Sequence, residues 1–355
     1  MASSRKELNG HRQEKNQMSK INVAIVGVGN VTKTLIRGLE FYQNSTEGLW
    51  HPKLAGFTVN DISVRGVYDV DSSKVGKKIK DMVTDYKINS DLSVQAGILD
   101  DPINVPNGQL KSVKHSEFVD SLKKIKPDFL VNLISSGMDK SSESYAKAAL
   151  EVGCSFLNAT SSKTITPELR SSFESKGAMI LGDDLMSQFG GTAFHRGMME
   201  LLINRGITIR KAYQLDVGGN ADTQNTMAEQ LREKKRKIKT ESISIEVPYQ
   251  FRSTAGTTEY AEQLGNSRVS YYWIEAKGFL GAPLEMDLSL RTNDSSNGCN
   301  VILDSIRAAK FAISKNDLAK SEIISAYAFK NPPKKTKIRE SIKAFEETFA
   351  NSANY

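Results

Sequence analysis

The chain has 355 residues, 39% hydrophobic and 25% charged, proportions ordinary for a water-soluble globular protein with one large or two smaller cores. No run of eighteen apolar residues occurs, which excludes a transmembrane helix, and two cysteines, Cys154 and Cys299, cannot build a disulfide framework and suit a reducing cytoplasm. The formal net charge of +7 is Lys-rich and thinly spread; it suits capture of a phosphorylated substrate or a dinucleotide as well as it suits nucleic acid.

Residues 1–20 are polar, lack the apolar stretch of a secretory signal, and are expected to form a disordered tail. INVAIVG (21–27) is a short continuous apolar run, the pattern of a buried parallel strand. A helix follows, with Val31, Leu35, Leu39 and Tyr42 on one face. Residues 43–60, with Asn, Gly and Pro, are predicted to be an exposed excursion. ISVRGVYDVD (62–71) reads as a second strand and DSSKVGKKI (71–79) as a helix capped by Asp71 or Ser72. Residues 85–115 read as an irregular loop beside a cofactor.

The rhythm returns with strands at DFLVNLIS, CSFLNAT and AMILGDD, separated by helices at KSSESYAKAALEVG and TPELRSSFESKG. Strands alternating with helices of this length imply a doubly wound parallel sheet, an α/β fold of Rossmann type. From about residue 207 the period changes to two. ITIRKAYQLDVGG, ESISIEVPYQF, SRVSYYWIEAKGF and LEMDLSLRTND alternate apolar with polar residues, as half-exposed strands of a mostly antiparallel sheet do. The helix NVILDSIRAAKFAISK is then expected to pack back on the first unit.

Gly27-Val28-Gly29-Asn30-Val31 joins the first strand to its helix. Gly27 permits a tight turn, and Gly29 lets backbone N–H groups approach a pyrophosphate at the helix N-terminus; Thr32 stands where the third glycine of the dinucleotide fingerprint is usual. Asp69 ends the second strand, where a carboxylate accepts from ribose hydroxyls and favours NAD over NADP; it lies 40 residues after Gly29, about twice the usual ~20. Ser135 and Ser136, then Ala159 and Thr160, sit at strand carboxyl ends suited to the nicotinamide. Asp183 and Asp184 follow an apolar strand, and the residues alone leave three roles open: metal ligand, partner of a substrate hydroxyl, or helix cap. Asp222 lies just ahead of a helix whose Lys235 and Lys239 are four apart, hence on one face, where like charges repel. The basic run 232–239 is short, contains Glu233 and lacks interleaved aromatics, so nucleic acid is not an expected partner. Neither is a membrane. Four histidines and two separated cysteines offer no zinc motif, and His195 reads as a structural hydrogen-bonder.

The ordered set of GxGN, VYDVDSSKVGK, GDDxxSQxGxTxxHR, VGGNxDxxN, the paired lysines, KGFxGxPL, NDSSN, IRAAK and FKNPP resembles the myo-inositol-1-phosphate synthases, in their shorter prokaryotic and archaeal form, from about Ile21 to Pro333. The resemblance implies an NAD-binding Rossmann domain at 21–197, an inserted mostly antiparallel α+β catalytic and tetramerisation domain at 198–297, and a C-terminal segment, 298–355, returning to the first. It implies redox-neutral conversion of D-glucose 6-phosphate to 1D-myo-inositol 3-phosphate, with NAD as a catalytic cofactor, a homotetramer, and room for a divalent or monovalent cation with no ligands assigned. Carried over residue by residue, it places the chemistry on Lys235, Lys239, Lys330, Asp222, Asp294 and Arg268, and counts Asp183 and Asp184 with the cofactor-binding residues. The chain departs from the family at Arg268 and Met186, where lysines are usual, and Glu259 is the acid expected opposite Arg268. These departures leave open a sister cyclase acting on another sugar phosphate; a net NAD-dependent dehydrogenase is the other alternative.

Overall fold

The computed structural model describes residues 20–84, 86–102 and 109–350; the expected N-terminal tail lies almost wholly outside them. The first unit contains β1 (Ile21–Val26), α1 (Asn30–Phe41), β2 (Ile62–Asp69), β3 (Val94–Ala96), α2 (His115–Ile125), β4 (Phe129–Asn132), α3 (Asp139–Val152), β5 (Ser155–Asn158), α4 (Pro167–Ser175) and β6 (Ile180–Leu181). Its six strands are parallel, in the order β3-β2-β1-β4-β5-β6. That order reverses direction between β1 and β4, so a crevice opens at their carboxyl ends. The strands are apolar on both faces because both are covered. Phe118, Leu122, Tyr145 and Phe173 pack on one side, and Leu35, Ile36, Ile302, Ile306 and Phe329 on the other.

The second unit follows as α5 (Gly191–Asn204), β7 (Thr208–Gly218), α6 (Ala221–Thr226), α7 (Glu229–Ser244), β8 (Arg252–Tyr260), β9 (Ser267–Lys277) and β10 (Pro283–Asn293). Its sheet order is β10-β9-β7-β8, antiparallel except for the β7–β8 pair. One face packs on α5 and α7 through Met199, Ile209, Ala212 and Ile243. The chain then returns through α8 (Asp294–Ser314), α9 (Ser321–Ala328) and α10 (Ile338–Phe345), which join the core of the first sheet.

Four sequence expectations are corrected. The 43–60 excursion is exposed over most of 43–48 as expected, but its later part turns inward, where His51, Leu54, Phe57 and Val59 are buried. Arg307 of α8 donates to the carbonyls of His51 at 2.8 Å and Phe57 at 3.5 Å, so a loop without regular structure has its backbone groups satisfied inside the protein. Residues 71–79 form turns instead of a helix, because the Gly76 and Ile79 N–H groups donate sideways to Val94 and Leu92. The 85–115 stretch contains β3, and the helix α2 begins at its end. Finally, 241–251 is not a strand. Glu241–Ser244 completes α7 and the chain then turns, and Ile243 in the helix and Val247 in the turn beyond it, read as strand alternation, are both buried. The strand that joins the sheet there is the less apolar RSTAGTTEY of β8.

Asp304 anchors the returning helix. Fully buried, it accepts from Arg307 Nη2 at 2.6 Å and Tyr327 at 2.7 Å, and its other contact is His51 Nδ1 at 2.7 Å. Asp304→Ala would leave the equally buried Arg307 without its counter-charge and should cost about 3–5 kcal/mol, measured by chemical denaturation. A variant within about 1 kcal/mol of the parent would remove this cluster from the supports of the fold.

Candidate active site

The end of β1 is shaped by close approach. Gly27 has φ +90°, and a Cβ there would stand 2.5 Å from the Leu133 carbonyl oxygen, so only glycine fits. Its N–H donates to the Tyr68 carbonyl at 2.8 Å, and Thr32 Oγ1 donates to its carbonyl at 2.5 Å. Thr32 therefore closes the turn from within, in the place of a third glycine. Gly29 is the N-cap of α1, with no side chain capping the helix and no acid in its first turn. The first-turn N–H groups and the positive end of the helix dipole are thus offered to an anion, and Gly29, Asn30, Val31 and Thr32 line a cleft of about 440 Å³.

Asp69 ends β2 as expected, but its acceptor positions are already used. Oδ2 accepts from Val28 N–H at 2.7 Å and Lys74 Nζ at 3.1 Å, and Oδ1 from the N–H groups of Val70 and Asp71 at 2.8 and 2.9 Å. Four donors fill a carboxylate's usual capacity. Asp69 therefore clamps the glycine turn to β2 and stands behind the cleft wall, with no free acceptor left for the ribose role expected of it; Lys74, from the same VYDVDSSKVGK motif, lines the cleft instead.

The carboxyl ends of β4 and β5 supply Ser135, Ser136, Ala159 and Thr160 to the same cleft. Ser136 and Ser161 hydroxyls are 3.0 Å apart, and the Ser136 N–H donates to Asp222 at 3.2 Å, tying the first unit to α6. Thr160 Oγ1 is buried without a hydrogen-bond partner, as a group awaiting a ligand would be.

The adjacent acids Asp183 and Asp184 separate. Asp183 is buried behind the wall, accepting from Asn158 Nδ2 at 2.6 Å and the N–H groups of Thr164 and Ile165 at 3.2 and 3.3 Å; burial pushes its carboxyl up to about 6. Asp184 lines the cleft and pairs with Lys330 at 2.6 Å. Neither caps a helix.

Three further ion pairs complete the wall. Lys235 meets Asp222 at 2.7 Å, Lys239 meets Asp216 at 2.5 Å, and Arg268 Nε meets Asp294 at 2.6 Å. The two lysines of α7 thus share a face but not a partner. Glu259 is not opposite Arg268. It pairs with Val217 across β7, whereas Arg268 pairs in register with Gly218 on the other side of that strand, so Asp294 and, at 3.8 Å, Asp216 are the acids it meets. Burial opposes ionisation of Asp216 and Asp222, yet the charges of Lys239 and Arg268 on one and of Lys235 on the other outweigh it and hold both well below the ordinary carboxylate range. Burial lowers the pKa of Lys239; Asp216 counters, while Arg268 and Lys330 add to the fall. Asp216 was not among the sequence candidates. The period-two pattern of β7 places it on the inward face, and a carboxylate on the core side of a strand is the signal that could have found it.

Met186 also lines the cleft, and Arg196 Nη1 lies 3.8 Å from its sulfur. Among the described residues no group of three or more His, Cys, Asp or Glu side chains is placed to hold a metal ion, and no helix is long and apolar enough to cross a membrane.

A family model described as myo-inositol-1-phosphate synthase matches residues 190–295. The inositol-3-phosphate synthase of Mycolicibacterium smegmatis is 32% identical over 340 residues, 89% of this chain and 94% of its own length. That of Corynebacterium glutamicum is 31% identical, over 92% of this chain and 98% of its own. Among solved structures, that of Ari2 matches with a TM-score of 0.73 at 27% identity, over 94% of this chain and 100% of its own. A myo-inositol-1-phosphate synthase-related protein from Thermotoga maritima reaches 0.78 at 20% identity over 92% and 98%, a likeness of fold.

The raised carboxyl of Asp183 sets a pH dependence of stability. A carboxyl shifted upward on folding stabilises fully below its unfolded value of 3.8, and that contribution is lost as pH rises through about 6. Asp183→Asn cannot titrate. The stability of the parent relative to the variant should therefore fall between pH 4 and 7 by on the order of 3 kcal/mol, read from denaturant midpoints at each pH; a difference that stays flat would place Asp183 in a solvated setting.

Proposed function

The chain belongs to the myo-inositol-1-phosphate synthase family, and on that premise we propose that it works as an inositol-3-phosphate synthase, cyclising D-glucose 6-phosphate to 1D-myo-inositol 3-phosphate. The observation that carries this reading is the convergence of Lys235, Lys239, Lys330 and Arg268, each held by a carboxylate, on one cleft beside the uncapped N-terminus of α1.

The residues of the cleft fit a dinucleotide. The Gly29–Thr32 turn would hold the pyrophosphate, and Ser135, Ser136, Ala159 and the unpartnered Thr160 hydroxyl would face the nicotinamide. NAD, when bound, supplies a transient oxidation at C5 of the sugar and its reversal, so that the net reaction is redox-neutral.

The remaining work falls to side chains. With C5 a ketone, loss of a C6 proton leaves an enolate; C6 then attacks C1, and the C1 carbonyl oxygen becomes an alkoxide that takes up a proton. Both anions, and the substrate phosphate, develop against fixed cations in a partly desolvated site, where such preorganised charge is most effective. Lys239, whose proton is loosened by burial and by Arg268 and Lys330, is the group we assign to carry protons between C6 and the new hydroxyl. Arg268 is pushed still higher by Asp294 and Asp216 against the cost of burial, so it acts as a static charge and its replacement of a lysine removes no necessary relay. Lys235 and Lys330 supply further positive charge, held in place by Asp222 and Asp184 as Arg268 is by Asp294. The acids of the cleft already serve ammonium or guanidinium groups, so no step of this proposal is assigned to a metal cation.

We further propose that the protein is a homotetramer associating through the open face of the second sheet. Tyr213 stacks on Trp273 at 5.4 Å there, beside the exposed Leu215 and Tyr271. At the β9–β10 tip Phe279 and Leu280 are 88% and 91% exposed, a patch that monomers seldom display. Sedimentation equilibrium should give four times the chain mass; a monomer at micromolar concentration would end this part of the proposal.

Incubation with glucose 6-phosphate and NAD, followed together by phosphorus NMR and by absorbance of reduced nicotinamide, should show a new inositol phosphate resonance and no accumulating absorbance. Stoichiometric accumulation would mark a net dehydrogenase instead. Lys239→Ala should lower kcat by roughly 100-fold or more while calorimetry shows NAD binding unchanged. Loss of both functions, or of neither, would remove Lys239 from the chemistry.

A further inference from the structure

Strand β7 turns polar side chains toward the core. Period two puts Ala212, Gln214 and Asp216 on one face, and Gln214 and Asp216 are 0% and 1% exposed. A carboxylate so buried must be neutral or ringed by donors. Asp216 is ringed: Ser270 Oγ donates to Oδ1 at 2.6 Å, Gln214 Nε2 donates to the two oxygens at 2.9 and 3.1 Å, and Lys239 Nζ donates to Oδ2 at 2.5 Å.

The donor sequence continues behind the carboxylate. Because Gln214 turns its amide nitrogen to Asp216, its carbonyl oxygen faces His195, whose Nδ1 donates to it at 3.2 Å. Burial lowers His195 to about 4, so near neutral pH the ring carries one proton, and the hydrogen bond assigns it to Nδ1. The other ring nitrogen is accordingly the buried atom without a partner. His195, Gln214 and Asp216 therefore form a one-way row of donors ending on an acceptor, with Lys239 donating from the far side.

Backbone packing holds the row in place. Gly191 opens α5 directly above it, and a Cβ at that position would stand 2.4 Å from Gln214 Nε2 and 3.2 Å from Asp216 Oδ1. The second glycine of the GGT sequence is thus needed for the helix to close on the network. The other charged or titratable groups around the pair are Arg268 and Tyr272 from β9, Lys330 beyond α9, Asp184 beyond β6, Asp294 from α8, Asp222 from α6 and Lys235 from α7.

We propose that Asp216 is a positioning residue for Lys239: its carboxylate, aimed by the His195–Gln214 row and by Ser270, holds the Lys239 nitrogen at a set point on the cleft wall and supplies the counter-charge against which that nitrogen takes up and gives back a proton. This deepens the reading of Lys239 as the proton carrier and rests on it. Without the negative charge, Lys239 would face Arg268 and Lys330 with no counter-charge in contact, and its proton would leave at lower pH.

The test is Asp216→Asn, which keeps the shape and removes the charge, in NAD-loaded protein. Acetic anhydride labelling of Lys239 is followed against pH by mass spectrometry, beside the pH profile of kcat. The labelling midpoint should fall by about 1–3 pH units, with a smaller change at Lys235, and the alkaline limb of kcat should move with it; an unmoved Lys239 midpoint overturns the proposal. Ser270→Ala retains the carboxylate and removes one of its donors, so it also serves if the first variant does not fold. It should lower kcat by about threefold or more with KM unchanged, and undiminished kcat overturns the cradle. Labelling needs no turnover, so the Asp216–Lys239 link is decided even in a protein that makes no inositol phosphate. Failure of the synthase reading is seen separately, in the phosphorus spectrum of the parent.

Discussion

Lysine and arginine side chains can crowd one cleft only if each has an acid within reach, and this pairing governs how the two sheets of the protein meet. Unscreened like charges a few ångströms apart in a partly buried site repel by several kcal/mol, whereas a paired set is close to neutral. Here every pair but one joins different parts of the chain. Lys330 beyond α9 meets Asp184 beyond β6, Lys239 of α7 meets Asp216 of β7, and Arg268 of β9 meets Asp294 at the start of α8. Lys235 and Asp222 are near neighbours in sequence, but Asp222 also receives the Ser136 N–H from the far wall. The electrostatic demand of the site and the docking of its elements are therefore one problem with one solution.

The same logic is repeated deeper in the molecule. Asp304 gathers Arg307, His51 and Tyr327, and Arg307 in turn satisfies the carbonyls of a loop that would otherwise have to reach solvent. Because α8 starts at Asp294 in the cleft and carries Asp304 into the first core, the helix that anchors the fold also sets the height of an active-site acid. Buried pairs of this kind add little net stability but cost heavily when halved, so they act chiefly to specify one arrangement.

The departures from the family pattern fall into place within this network. Arg268 reaches two acids at once, Asp294 and Asp216, which a single ammonium at that position would do less well. Asp216 then bears two cations instead of one, and its four hydrogen bonds from Ser270, Gln214 and Lys239 keep it ionised despite complete burial. Met186, where a further lysine is usual, lies beside Arg196, so a second cation there would meet an existing one.

Much of this protein was legible in the sequence alone. The apolar run at 21–27, the glycine turn and the strand–helix alternation led to the doubly wound sheet, and the period-two strands near 208–218, 267–277 and 283–293 led to the second sheet. The glycines, the small residues after β4 and β5, the paired lysines and Lys330 all reached the neighbourhood they were expected in. These signals are local: periodicity and turn chemistry act over a few residues and need no partner. What only the tertiary structure decided was which group each charge would meet. Asp69 was spent on backbone N–H groups, Asp183 turned inward while Asp184 faced the cleft, Glu259 stood away from Arg268, and Asp216 emerged beneath Lys239. An apolar side chain has only to be buried, and many neighbours serve equally well. A buried charge needs one particular partner at one distance, and that partner is supplied by residues far away along the chain.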